Sequence, residues 1–351
     1  MMSVLRATTG LLVLASISLL AGGCTSSSTN PPSEATGGAA GSSGSAGLGG
    51  LDASLGGNAG TPSGSAASTD AGTDAATKIY DLAAAFQTED ELEELNSGAS
   101  PGDFQARLSP DELKVFFVAG SGTGTAIFTA SRTSRDVPFT KPATKLNGVN
   151  GDGAADKAPT ITGNLLKLYF VATGGGYERI FLASRQTTGT AFATLGEVPA
   201  LNKPYPALTG MPYVLPPGDV IYVASTRAST SAVPDKLDIY RAQQTGTNWE
   251  APLLVTNIND MTLMDTAPVV DATESVMYFA RGKAGGDIDI YVTYRISGEF
   301  GTPLKVPAPT DVLNTTQAEF PSFISPDGCR LYFYRTWNAV SRIFVATRTP
   351  K

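Results

Sequence analysis

Leu331-Tyr332-Phe333 closes a series of five near-identical triplets, preceded by Val115-Phe116-Phe117, Leu168-Tyr169-Phe170, Ile221-Tyr222-Val223 and Met277-Tyr278-Phe279. Their centres are 53, 53, 56 and 54 residues apart. A second series trails the first: Ile127-Phe128, Ile180-Phe181, Ile239-Tyr240, Ile290-Tyr291 and Ile343-Phe344. Short β-branched and aromatic runs recurring about every fifty residues are the pattern of propeller blades, whose strands are apolar on both faces because each sheet is covered by its neighbours. The expected fold is therefore all-β, a five-bladed β-propeller.

Outward from each triplet, the repeat reads as four strands. A proline marks the innermost strand in Ala158-Pro159, Tyr205-Pro206-Ala207-Leu208, Ala267-Pro268 and Phe320-Pro321. Turn formers follow, as in Ser109-Pro110-Asp111-Glu112, Thr162-Gly163-Asn164 and Ser325-Pro326-Asp327-Gly328, because these residues preset turn dihedrals. The outer strand starts at Phe139, Phe192, Trp249 or Phe300 and runs to Leu146-Asn147, Leu201-Asn202, Ile258-Asn259 or Leu313-Asn314. The last repeat shows no such strand, but Phe86 to Leu95-Asn96 repeats its pattern ahead of the first inner strand. An N-terminal outer strand closing the ring is expected, since it removes a free sheet edge. A rival reading of this stretch is a helix, from the capping box Thr88-Glu89-Asp90-Glu91 and the spacing of Ile79, Leu82, Ala83 and Phe86.

Phe320-Pro321-Ser322-Phe323-Ile324-Ser325-Pro326-Asp327-Gly328 followed by Leu331-Tyr332-Phe333, with Asp238-Ile239-Tyr240 and Asp289-Ile290-Tyr291, resembles the TolB-type WD40-like propeller repeat family. The resemblance spans residues 86–351 and is weakest in the third repeat, where Gly210 to Asp219 reads as a Pro-rich loop. It implies an envelope or periplasmic binding scaffold. Some family members are fused to hydrolases, but no Gly-x-Ser-x-Gly lies in residues 78–351.

The N-terminus reads as an export signal over residues 1–23: Arg6, an apolar run from Leu11 to Leu20 too short to span a bilayer, then Ala21-Gly22-Gly23-Cys24. Small residues ending in Cys resemble a bacterial lipoprotein signal, with Cys24 acylated; a plain secretory signal is the alternative. Thr25 after the cysteine favours the outer membrane. Residues 24–77, rich in Gly, Ala, Ser and Thr, read as a disordered tether to a propeller over 78–351, because they offer too little apolar surface to offset ordering entropy. With Cys24 lipidated, Cys329 has no partner for a disulfide and is expected to be a packed or half-exposed free thiol.

The chain carries a net charge of −7 and no histidine. The absence of histidine removes the usual general base, the Ser-His and Cys-His pairs and the commonest transition-metal ligand. The acidic balance and lack of basic runs argue against nucleic acid. Charged residues precede the inner strands: Asp103, Asp156, Lys203, Asp265 and Glu319. They define a candidate ligand or cation ring at one mouth of the channel, or a set of loop caps. Asn150, Asp152 and Asp156 form a weak calcium-like loop, the one candidate cofactor site, without the usual bidentate glutamate. Trp249 is expected to pack, and Trp337, in a hairpin, to be exposed. The leading expectation is a monomeric, lipid-anchored, non-enzymatic scaffold for an envelope protein or glycan partner. The alternative is a glycosidase using the rim carboxylates.

Overall fold

The structure, a computed structural model, describes residues 85–98, 101–121, 124–151, 155–174, 177–204, 206–227, 236–283, 285–306 and 313–348. The signal, the tether, Cys24, Asp152 and most of the proposed helix over 78–86 lie outside them. Among the described residues every regular element is a β-strand.

The first repeat is a four-stranded antiparallel sheet of Asp103–Leu108, Lys114–Ser121, Gly124–Ser131 and Thr144–Lys145; the second is Lys157–Ile161, Lys167–Gly174, Tyr177–Ser184 and Ala193–Glu197. The third is Thr209–Val214, Val220–Ser225 and Asp238–Thr245, with a broken outer strand at Asn248–Trp249 and Leu253–Leu254. Met264–Val270, Val276–Gly282 and Ile288–Ile296 form the fourth, again with a broken outer strand. A single parallel bridge, Ile288 to Ala318, joins it to Ala318–Ile324, Arg330–Trp337 and Val340–Thr347 of the fifth. The five inner strands touch one another in cyclic order, first to second and onward until the fifth meets the first. That is a β-propeller arrangement.

The ring is closed by Thr88–Glu91, which pairs antiparallel with Val340–Thr347 in the register Thr88 to Thr347 and Glu91 to Phe344. The capping-box residues are thus strand, not helix. Pairing the outer edge of the fifth sheet offers more backbone hydrogen bonds than an isolated helical turn, and buried Phe86 anchors the stretch against Tyr278 at 6.1 Å.

The two sequence series meet across neighbouring strands. Phe117 faces Phe128, Phe170 faces Phe181, Phe279 faces Tyr291 and Phe333 faces Phe344, with centroids 6.2, 5.9, 6.0 and 5.5 Å apart. Cross-strand aromatic pairs each contribute roughly 0.2–1 kcal/mol beyond their burial. The aromatic that opens each outer strand is buried, and in four repeats an arginine lies over it: Arg132 on Phe139, Arg185 on Phe192, Arg295 on Phe300 and Arg348 on Phe86, at 4.4, 4.3, 4.6 and 5.0 Å. In the third repeat Trp249 fills this place and donates its indole N–H to the Tyr169 hydroxyl at 3.3 Å.

Two expectations are corrected here. The third inner strand is Thr209–Val214, not Tyr205–Leu208, so its proline is Pro212 and its turn is Leu215-Pro216-Pro217-Gly218. Constant spacing explains the choice: Pro212 lies 53 residues after Pro159, matching the 53 between Tyr169 and Tyr222. Cys329 is buried and disulfide-bonded, not a free thiol.

Candidate functional site

One asparagine per repeat ties the outer edge of a sheet to its third strand. The side chain of Asn202 accepts from the Ile180 N–H at 2.9 Å and donates to the carbonyls of Ile180 and Val198 at 3.0 and 3.1 Å. Asn96, Asn150, Asn259 and Asn314 grip Ile343, Ile127, Ile239 and Ile290 in the same way. In the first repeat the residue is Asn150, not Asn147. Buried Val149 supplies the apolar neighbour that Leu201, Ile258 and Leu313 supply elsewhere, while Asn147 is exposed. This corrects the calcium-like reading of Asn150, whose carboxamide oxygen, 2.7 Å from the Ile127 nitrogen, is engaged by backbone. Asp152 lies outside the described residues, and among those described no group of three acidic or thiol ligands could hold a metal.

The residue after each of these asparagines meets the acid that begins the next inner strand. Asp103 Oδ2 accepts from the Ser97 N–H and hydroxyl at 2.5 and 2.7 Å, Asp156 Oδ2 from the Gly151 N–H at 2.8 Å, and Asp265 Oδ2 from the Asp260 N–H at 2.5 Å. Glu319 Oε1 accepts from the Thr315 hydroxyl at 2.5 Å. The four acids occupy equivalent positions on the channel rim, all buried, and each caps the loop that carries the chain from one sheet to the next. Lys203 does not join them. It is exposed, and Thr209 holds the equivalent place, donating to or accepting from Ser225 at 3.2 Å.

Arginines neutralise two of the caps: Arg281 Nε is 2.6 Å from Asp265 Oδ1 and Arg335 Nε is 2.9 Å from Glu319 Oε1. Burial still outweighs these partners. It pushes Asp265 up to about 6 and Glu319 up to about 7, and raises Asp103 and Asp156 above the usual carboxylate range against the bonds from Ser97 and Gly151. Asp103 Oδ1 and Glu319 Oε2, on adjacent inner strands, are buried without a hydrogen-bond partner. Glu319, a buried carboxyl with an unpaired oxygen and a pKa near neutrality, can hold or release a proton at physiological pH.

One polar side chain of the first repeat links it to two others across the inner strands. Gln105, buried in the first inner strand, reaches across to donate to Met211 Sδ at 3.4 Å and accepts from the Ala158 N–H at 2.6 Å.

The accessible feature lies on the fifth repeat. Its hairpin turns through Asn338 and Ala339, both with positive φ (49° and 62°), as a two-residue type I′ turn requires. Trp337 begins this tip and is 64% exposed, whereas Trp249 is 8% exposed. A cavity of about 460 Å³ opens beside it, lined by Glu91, Arg335, Trp337, Arg342 and Phe344. Arg342 is paired with Glu91 at 2.9 Å, and Arg335 bridges Glu89, at 2.9 Å, to the rim acid Glu319. A second cavity of about 610 Å³, lined by Pro101, Phe104, Asp287, Gln317, Phe320 and Ser341, lies on the other side of the same tip. An exposed aromatic face flanked by fixed charged donors and acceptors is the composition of a polar, ring-bearing ligand site.

No protein-family model and no curated protein matches the chain. Among solved structures it is similar to TolB from Acinetobacter baumannii (14% identity, 71% of this chain and 55% of that one, TM-score 0.42). It is also similar to a thermostable family-43 glycoside hydrolase (13%, 71% and 95%, 0.47). A third is an alpha-L-arabinofuranosidase from Podospora anserina in complex with cellotriose (11%, 76% and 98%, 0.47). The chain thus spans little more than half the length of the TolB it resembles. Glycoside hydrolases stand among these neighbours alongside TolB, and this corrects the expectation of a non-enzyme: a purely non-catalytic role does not follow from the fold.

Proposed function

We propose that the five repeats are five blades of one propeller, exported to a bacterial cell envelope, and that it acts on carbohydrate, taken up at the blade-five tip. The observation that carries this is Trp337: a large aromatic face left open at the lip of a cavity whose other walls combine apolar Val340 and Phe344 with Glu91, Arg335 and Arg342, hydrogen-bonding groups held in place by ion pairs. Aromatic faces pack against sugar C–H surfaces, and the planar charged groups orient hydroxyls. The test is an oligosaccharide panel titrated calorimetrically into wild type and Trp337→Ala. Saturable binding by wild type that weakens at least tenfold in the variant supports the reading; a panel without a single binder removes it.

A catalytic form of the same reading is favoured by Glu319, whose free Oε2 and pKa of about 7 suit a general acid, joined to the cavity through Arg335. Release of reducing sugar by wild type but not by Glu319→Gln supports it; binding without turnover leaves the tip as a receptor site. Lipid attachment at Cys24 is tested by fatty-acid labelling with Cys24→Ala as control.

A further inference from the structure

Counted from the rim residues Asp103, Asp156, Thr209, Asp265 and Glu319 as the first, the fifth residues are Arg107, Thr160, Tyr213, Val269 and Phe323, and Arg107 is the one charge among them. Its guanidinium carbon lies 3.9 Å from the ring centroid of Tyr213. Arg107 belongs to the first repeat and Tyr213 to the third, whose inner strands are not neighbours in the ring, so the side chain crosses the central axis. It is 4% exposed, forms no ion pair among the described residues, and its Nε and Nη1 have no hydrogen-bond partner. The rim acids offer no help. Asp103 lies four residues earlier on the same strand, roughly 13 Å away at about 3.3 Å per residue, and is engaged by Ser97.

A buried guanidinium without a counter-charge is among the costliest arrangements in a protein, because it cannot shed its proton at neutral pH. Burial pulls its pKa down to about 9, with Tyr213 acting in the opposite sense, and the group is still cationic at pH 7. Tyr213 offers Arg107 a ring face and a side-chain hydrogen bond, but no formal negative charge, and it leaves Nε and Nη1 unpaired.

We propose that the channel of this propeller holds a small oxyanion, a carboxylate or a phosphate, on the Nε and Nη1 of Arg107. This site is separate from the blade-five tip and does not depend on the carbohydrate reading.

The test is thermal unfolding of the purified protein titrated with acetate, phosphate or chloride, each compared with Arg107→Met to cancel general salt effects. The expected result is a saturable rise in Tm of a few degrees in wild type with acetate or phosphate, absent in Arg107→Met. The more effective of the two anions identifies the ligand chemistry. In anion-poor buffer Arg107→Met is expected to be at least as stable as wild type, since it removes an unpaired charge. Equal titrations of the two proteins, or a response to chloride alone, overturn the proposal. Should Arg107→Met fail to fold, a wild-type crystal grown with acetate or phosphate decides: oxyanion density on Arg107 sustains the site, and ordered water alone there overturns it.

Discussion

The rim and the blade-five tip carry similar chemistry to opposite effect. At the rim, four carboxylates stand in a ring that looks like a ligand site in one dimension, yet each is held by the backbone or hydroxyl of the loop before it. At the tip, Trp337 has no tryptophan at the equivalent place in any other repeat, and it stays 64% exposed among the described residues. Residues that recur at blade spacing are engaged in building blades; those that break the repeat are free for a ligand. The two tryptophans make the contrast within one residue type, since Trp249 replaces the recurring outer-strand phenylalanine and is packed against Tyr169 at 5.9 Å.

The largest expected effect separates those two. Trp249→Ala should cost about 3–5 kcal/mol in urea unfolding, the range for a buried aromatic, while Trp337→Ala stays within about 0.5 kcal/mol of wild type. Similar losses at both positions would erase the distinction between packed and open aromatics. Next comes the asparagine tie: Asn150→Ala, which strands the backbone groups of buried Ile127, should cost about 2–3 kcal/mol, and Asn147→Ala less than about 0.5 kcal/mol, by the same measurement. The reverse order would return the first repeat to the Leu146-Asn147 register.

The smallest effect concerns pH. Glu319 titrates at 4.5 when unfolded and near 7 when folded, so the native state binds more protons between these values and its stability falls as pH rises through the window. Glu319→Gln mimics the protonated form and should flatten that fall; an unchanged slope would show that Arg335 fully compensates the buried charge.

Much of this was legible in the sequence. The spacing of Tyr169, Tyr222, Tyr278 and Tyr332 gave the second strands, and Phe86 to Asn96 gave the closing strand, because pairing an unpaired edge is a strong constraint. In the third repeat, local proline chemistry points to Lys203 and Tyr205-Pro206, whereas the period points to Pro212, where the strand lies. Asn150 resembles a metal ligand because oxygen-rich loops look alike whether they bind metal or backbone; buried Val149 before it is the discriminating signal. No local pattern marks Arg107, whose strand lacks the proline of the other inner strands. Aligning the repeats shows a charge where the other four carry Thr160, Tyr213, Val269 and Phe323. The cavity at the tip depends on how Glu91 from one end of the chain meets Arg342 from the other, which no local pattern encodes.

The central claim, that ligand meets the chain at the blade-five tip, is tested most directly by tryptophan emission. The chain has two tryptophans, one buried and one open. Titration with a binding oligosaccharide should shift the emission of wild type to the blue and saturate, and Trp337→Phe should abolish the shift. A shift that persists in Trp337→Phe, or binding of full strength with no change in wild-type emission, would contradict the account.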